Sequence, residues 1–251
     1  MFPLRDREPA SIRPWITLAL IAANTALFLY EVSLPRQALE DLVQTLGLVP
    51  ARFADPRWRA IEPLGTLDFA SFVTSTFLHG GVLHVISNLW FLWIFGDNVE
   101  ERFGRLGFLA FYLLCGITAG VVHVIVEPRS AVPTIGASGA IAGVMGAYLR
   151  LFPRGRIVAV VPIVIFPLFF EVPAVVFLGF WFLLQLFGAG VGALASDASD
   201  GVAIGGIAFW AHVGGFVAGL VAVPLFDRKR ARVIVDPRRA RAPIDEDRYF
   251  T

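Results

Sequence analysis

The stretch Gly136-Ala137-Ser138-Gly139-Ala140-Ile141-Ala142-Gly143-Val144-Met145-Gly146 decides how this chain is read. A lone serine opens a short apolar run, and Gly139, Gly143 and Gly146 repeat at spacings of four and three. At that spacing they share one helical face and let the backbone of another helix approach closely. The complementary face is carried by Gly215 and Gly219 in Ala211-His212-Val213-Gly214-Gly215-Phe216-Val217-Ala218-Gly219. Packing glycine on glycine brings the His212 imidazole toward the Ser138 hydroxyl, and a hydroxyl with a base is the minimum for serine nucleophilic catalysis. His84 and Asn88, one helical turn apart in a different apolar segment, could donate to a developing oxyanion.

Composition sets the environment. Of 251 residues 57% are hydrophobic and 16% charged, and the mean hydropathy is +0.71, which is the composition of a membrane protein. Several stretches run near twenty residues with almost no charge, the length a bilayer requires. The formal net charge of +1 argues against a nucleic-acid partner. Cys115 is alone, so no intramolecular disulfide forms.

Six spans are expected. The first, about Pro14 to Ser33, follows Arg5, Arg7 and Arg13. Its apolar part is longer than a signal-peptide core and no small-x-small site follows, so it is read as a retained helix. A long first outer loop, Leu34 to Phe77, carries Leu39, Leu42, Val43 and Leu46 at helical spacing, which fits a helix on the membrane surface or one packed on the other loops. The second span is about Val82 to Val99 and the third about Leu106 to Val126. The fourth runs from Ser138 to about Phe152, the fifth starts near Glu171, and the sixth is about Ala203 to Phe226. Pro162, Pro167 and Pro173 make Ile157 to Phe170 an expected interfacial loop. The resulting architecture is all-α, a six-helix membrane bundle over residues 14–226 with a short, buried fourth helix. Residues 1–13 form an N-terminal segment and residues 227–251 a charged, disordered tail.

Charge orients the bundle. With both termini on one side, that side carries 16 of the 21 basic residues, and the positive-inside bias makes it cytoplasmic. The loop between the fifth and sixth spans, with Asp197 and Asp200 and no base, agrees. A bacterial-type plasma membrane is the expected location. Counting up from Arg150, Glu100 and Asp227 places Ser138, Asn88 and His212 at ~18, 18 and 22 Å, nearly one level. In a hydrocarbon core about 30 Å thick that level is roughly 10 Å below the outer surface. A helix starting there is tolerated only against protein or a watery cavity, and water is a substrate of any hydrolase. The free N–H groups and dipole of the fourth helix's start would favour an oxyanion.

Each residue alone has a plainer reading. Ser138 could be an N-cap, His212 a hydrogen-bonded structural histidine, and Asn88 interhelical glue. Convergence at one depth inside a membrane favours function. His79, His84, His123 and His212 could instead serve a transporter, but four histidines without carboxylate or cysteine partners make a weak metal case. No metal and no cofactor is expected.

The constellation resembles the rhomboid family of intramembrane serine proteases over nearly the whole chain. Gly136-Ala137-Ser138-Gly139 looks like its nucleophile motif, His84 through Asn88 like its His-x-x-x-Asn, and Ala211-His212 with the following glycines like its base motif. Glu100-Glu101-Arg102 resembles its acidic and basic pair. The resemblance implies Ser138 as nucleophile, His212 as base, and Asn88, His84 and the Ser138 backbone N–H as oxyanion hole. It implies transmembrane proteins as substrates within a lipid bilayer and a cut beside a small residue, in a strained segment; a catalytically inactive relative that binds membrane clients is the alternative. Two positions depart from the pattern. Ala142 stands where some members have an aromatic residue against the histidine, leaving Trp181, Phe209 or Trp210 to fill that space. Trp58-Arg59 lies too early to match a Trp-Arg pair.

Overall fold

A computed structural model describes residues 2–8, 10–61, 63–163, 166–196 and 208–228. Strand β1 (Phe2–Asp6) is followed by α1 (Trp15–Ser33), α2 (Arg36–Leu46), α3 (Pro50–Ala54), α4 (Pro56–Ile61) and α5 (Thr66–Thr74). Then come α6 (Val82–Phe103), α7 (Arg105–Val126), α8 (Ser138–Leu151), β2 (Arg156–Ile163), β3 (Phe166–Pro173), α9 (Ala174–Ser196) and α10 (Phe209–Phe226). Among the described residues five helices, α1, α6, α7, α9 and α10, are long and apolar enough to cross a membrane. The chain is a mostly helical, multi-pass membrane protein.

The shortest core helix lies at the centre. At 14 residues, α8 is ~21 Å long, and every residue from Gly139 to Tyr148 is buried. It packs on α6, α7, α9 and α10. A helix that is apolar all round belongs in a protein core or in lipid, and α8 is covered by the surrounding helices. Close backbone approach replaces the hydrophobic effect as the source of adhesion here, because lipid is as apolar as the helix faces. A Cβ on Gly215 would overlap the Gly139 carbonyl oxygen, one on Gly219 the Gly143 carbonyl oxygen, and one on Gly146 the Phe216 carbonyl oxygen.

The buried acid Glu100 fixes the first helix. Pro14 at the N-cap of α1 offers no side-chain acceptor, and the Glu100 carboxylate of α6 supplies it from outside. It accepts from Ile16 N–H at 3.0 Å, Thr17 N–H at 2.8 Å and the Thr17 hydroxyl at 2.9 Å. A carboxylate with no exposure needs such donors to stay in the interior. Its neighbours act likewise: Glu101 accepts from Ser11, and Arg102 pairs with Asp227 at the end of α10, 3.1 Å from Nε. The turn from α6 to α7 takes the single residue Gly104 at φ 71°.

The expected loop Ile157 to Phe170 is instead a β-hairpin, a small sheet element within a fold that is otherwise helical as expected. β2 and β3 pair antiparallel from Arg156↔Pro173 to Ile163↔Phe166, and β1 adds to β2 as the third strand of order β1-β2-β3. Thus part of the N-terminal segment is structured. Arg7 and Arg156 both pair with Glu171 at one end of the sheet. Within the long loop, α2 packs on α5, and α9 begins at Ala174, three residues after the expected start. Asp197, Asp200, the expected start of the sixth span near Ala203 and almost all of the 227–251 tail lie outside the described residues.

Candidate active site

Ser138 is the first residue of α8, and the chain reaches it through two restraints. Leu48 and Thr134 exchange backbone hydrogen bonds of 3.0 and 2.8 Å, and Gly136 N–H donates to the Ser75 carbonyl at 2.9 Å. Gly136 has φ 127°, a conformation that side chains disfavour. A Cβ there would also lie 2.7 Å from Cε1 and Nε2 of His84, so glycine answers both the turn and the imidazole's approach. Ala137 at the N-cap has no side-chain acceptor, and the first N–H groups of α8 lack helical partners. They surround the serine at the positive end of the helix dipole.

Ser138 Oγ lies 2.7 Å from His212 Nε2. The glycine contacts explain the distance, since α8 and α10 meet backbone to backbone at Gly139, the residue after Ser138, and Gly215, one turn beyond His212. His212 Nδ1 in turn lies 2.8 Å from Gln185 Oε1 on α9. Of the three aromatic residues considered for the space beside the base, Trp181 has its ring against the imidazole, with centroids 6.0 Å apart and planes at 34°. Phe209 instead packs at Gly188. Ala142 is fully buried.

On α6, Asn88 is only 5% exposed, and its Nδ2 is a buried donor with no hydrogen-bond partner. His84 Nδ1 accepts from Gly80 N–H at 3.3 Å. An accepting Nδ1 leaves the proton of the neutral ring on Nε2, the nitrogen that faces Gly136. Ser138, His212, His84, Asn88, Gly136, Trp181 and Met145 all border one cavity of about 650 Å³. A hydroxyl, a base and two residues with free N–H donors therefore border one space, which is what acyl transfer needs.

The remaining histidines stand apart from this chemistry. The His79 ring packs beside that of His84, centroids 5.3 Å apart, and its backbone N–H donates to Glu31 at 3.2 Å. His123 is buried on α7. Among the described residues no three His, Cys, Asp or Glu side chains converge. Trp58-Arg59 lies on α4. Gln185 is the residue that sequence reasoning missed. Its signal was available: it is the one amide in Ala174–Ser196, a segment otherwise almost wholly apolar, and polar side chains in such segments have partners or roles.

The family model for the Rhomboid domain matches residues 66–229. The chain is 28% identical over 157 residues to RHOMBOID-like protein 6, mitochondrial, of Arabidopsis thaliana, covering 54% of this chain and 50% of that protein. It is 50% identical over 72 residues to Rhomboid-like protein 11, chloroplastic, of the same plant, covering 29% and 25%. To Presenilin-associated rhomboid-like protein A, mitochondrial, of Danio rerio it is 30% identical over 134 residues, covering 51% and 35%. The chain spans half or less of the length of these relatives.

Proposed function

Because the chain belongs to the rhomboid family, we propose that it is an intramembrane serine endopeptidase with a Ser138-His212 dyad. The observation that carries this reading is the 2.7 Å contact between Ser138 Oγ and His212 Nε2 at the border of a cavity large enough for a peptide segment. A client-binding protein without catalysis has no use for that contact, nor for an unpartnered buried amide beside it.

The reaction runs as follows. His212 Nε2 takes the Ser138 proton as Oγ attacks the scissile carbonyl carbon, and the carbonyl oxygen becomes an oxyanion. Asn88 Nδ2, His84 Nε2–H and the Ser138 backbone N–H are the donors proposed to hold it. As the C–N bond breaks, His212 gives the proton to the departing amine and an ester on Ser138 remains. Water then attacks that ester, His212 takes the proton from the water, and Ser138 leaves with it. Nothing in this cycle calls for a metal or cofactor. The substrates are membrane proteins, cut in or near a transmembrane segment within the bilayer.

The proposed topology has six helices in the membrane, with α8 as the short fourth, and both termini on the cytoplasmic, basic side. The named relatives are mitochondrial and chloroplastic. That offers no support for a bacterial-type plasma membrane, and the proposal is confined to a multi-pass protein of a lipid bilayer.

The test uses purified protein in proteoliposomes with a single-span substrate, together with labelling by a fluorophosphonate probe. Wild type should cleave and label, and Ser138→Ala should do neither. Ser138→Ala with His212→Ala should be scarcely slower than either alone, because the two act as a unit. Equal cleavage by wild type and Ser138→Ala would overturn the assignment.

A further inference from the structure

We infer that Gln185 is a positioning residue for the base, holding His212 in the one neutral tautomer that can accept the serine proton. This rests on the protease reading above and adds to it a third member from a third helix. Ser138 stands on α8, His212 on α10 and Gln185 on α9.

The chain of hydrogen bonds that ends at Ser138 starts within α9. Gln185 Nε2 lies 3.4 Å from the Trp181 backbone carbonyl oxygen, one turn earlier in α9. A carbonyl can only accept, so the amide's NH₂ faces it and the amide's oxygen faces the imidazole. That oxygen, 2.8 Å from His212 Nδ1, is also only an acceptor. Nδ1 therefore carries the proton of the neutral ring. Nε2 is left with its lone pair, aimed at Ser138 Oγ 2.7 Å away, and the serine O–H must donate to it. With the other tautomer, Nε2–H would point at the hydroxyl and could take no proton from it.

Geometry supports the same role. Trp181 supplies the carbonyl that orients the amide and also the ring that lies 6.0 Å from the imidazole centroid. One turn of α9 thus restrains the base by a hydrogen bond at Nδ1 and by a tilted ring contact. This restraint stands in for the aromatic residue that Ala142 does not provide. A neutral amide also leaves the base without a fixed negative charge, unlike a carboxylate at the same atom.

Two variants of the full-length protein separate positioning from packing. Gln185→Met keeps the side-chain length and removes the acceptor. Gln185→Glu keeps an acceptor and adds charge. In ¹⁵N-histidine-labelled wild type, the His212 resonances, identified by their loss in His212→Ala, should show a protonated Nδ1 and a bare Nε2, and Gln185→Met should lose that preference. Turnover by Gln185→Met should fall by about 10²-fold with KM within about twofold. Gln185→Glu should restore turnover to within about tenfold of wild type and move the acidic limb of the kcat/KM profile to higher pH, since a nearby negative charge favours the imidazolium. A bare Nδ1 in wild type, or wild-type turnover in Gln185→Met, would overturn the inference. If Gln185→Met does not fold, an unmoved acidic limb in Gln185→Glu overturns it instead. Failure of wild type to cleave and to label would remove the protease reading, while the tautomer measurement would still decide the Gln185-His212 contact.

Discussion

Gly215 on α10 lies against the carbonyl oxygen of Gly139 on α8 with no room for a methyl group between them. One turn further along, Gly219 meets Gly143 in the same way. Glycine is required at these positions for the space it leaves, and the reward is a nucleophile and a base held 2.7 Å apart by the backbones of their own helices.

Gly215→Val should therefore lower both stability and activity. A branched side chain forces the backbones apart, with an overpacking cost of about 1–3 kcal/mol. Displacement on the ångström scale can cost about 10²-fold in rate. Melting in detergent and cleavage of a membrane substrate should fall together, whereas loss of neither would mean that the helices do not meet at this point.

Asn88 gives a different signature. Its Nδ2 makes no hydrogen bond in the resting protein, so Asn88→Ala removes little that stabilises the fold. An oxyanion donor, by contrast, is worth on the order of 10²–10³ in turnover. Near-wild-type melting with turnover reduced by that order is expected. A rate within a few-fold of wild type would return Asn88 to helix packing.

Gly136→Ala should be harmful although the change is one methyl group. The φ of 127° puts a strained conformation on any side chain, costing on the order of 1–3 kcal/mol. The new Cβ would also sit 2.7 Å from the His84 ring. Adding His84→Ala should recover part of the lost stability by removing the contact, but not the activity. A double variant no more stable than Gly136→Ala would show that backbone strain alone accounts for the loss.

The glycine faces and the polar residues that border one cavity were legible in sequence because an apolar run makes both conspicuous: a small-residue stripe and a histidine have few other reasons to sit there. The sheet was not. Ile157 to Phe170 is apolar throughout, with no alternation to mark a strand with one wet face, and its prolines suggested interruption. Gln185 was visible as the amide in α9, yet its partner His212 stands 27 positions later, and spacing within one helix says nothing about which neighbour it faces. The service of Glu100 to the start of α1 was hidden for the same reason, being a contact across 83 residues.

The strand that the sequence did not announce makes the last prediction. Asp6, at the end of β1, accepts from the Tyr148 hydroxyl at 2.8 Å and from Asn98 Nδ2 at 2.8 Å, tying the sheet to α8 and α6. Burial is the main cause that pushes its carboxyl up, to about 6 from an ordinary 3.8; the Tyr148 bond offsets part of that, and Asp97 and Glu8 add to the rise. A carboxyl raised in the folded state favours folding fully below its unfolded value, and that contribution is lost as pH rises through the folded value. Wild type should thus lose stability between about pH 4 and about pH 6 from this group and level off above. Asp6→Asn keeps an oxygen acceptor for both donors and cannot titrate, so it should melt at or above wild type at pH 7 and lack this component. The quantity to compare is the difference between the two melting curves. Asp55, held below its ordinary value by its Arg57 partner, titrates with the opposite sign in both proteins and cancels. A difference that stays constant from pH 4 to pH 7 would show that Asp6 is not buried against α8 in the folded protein.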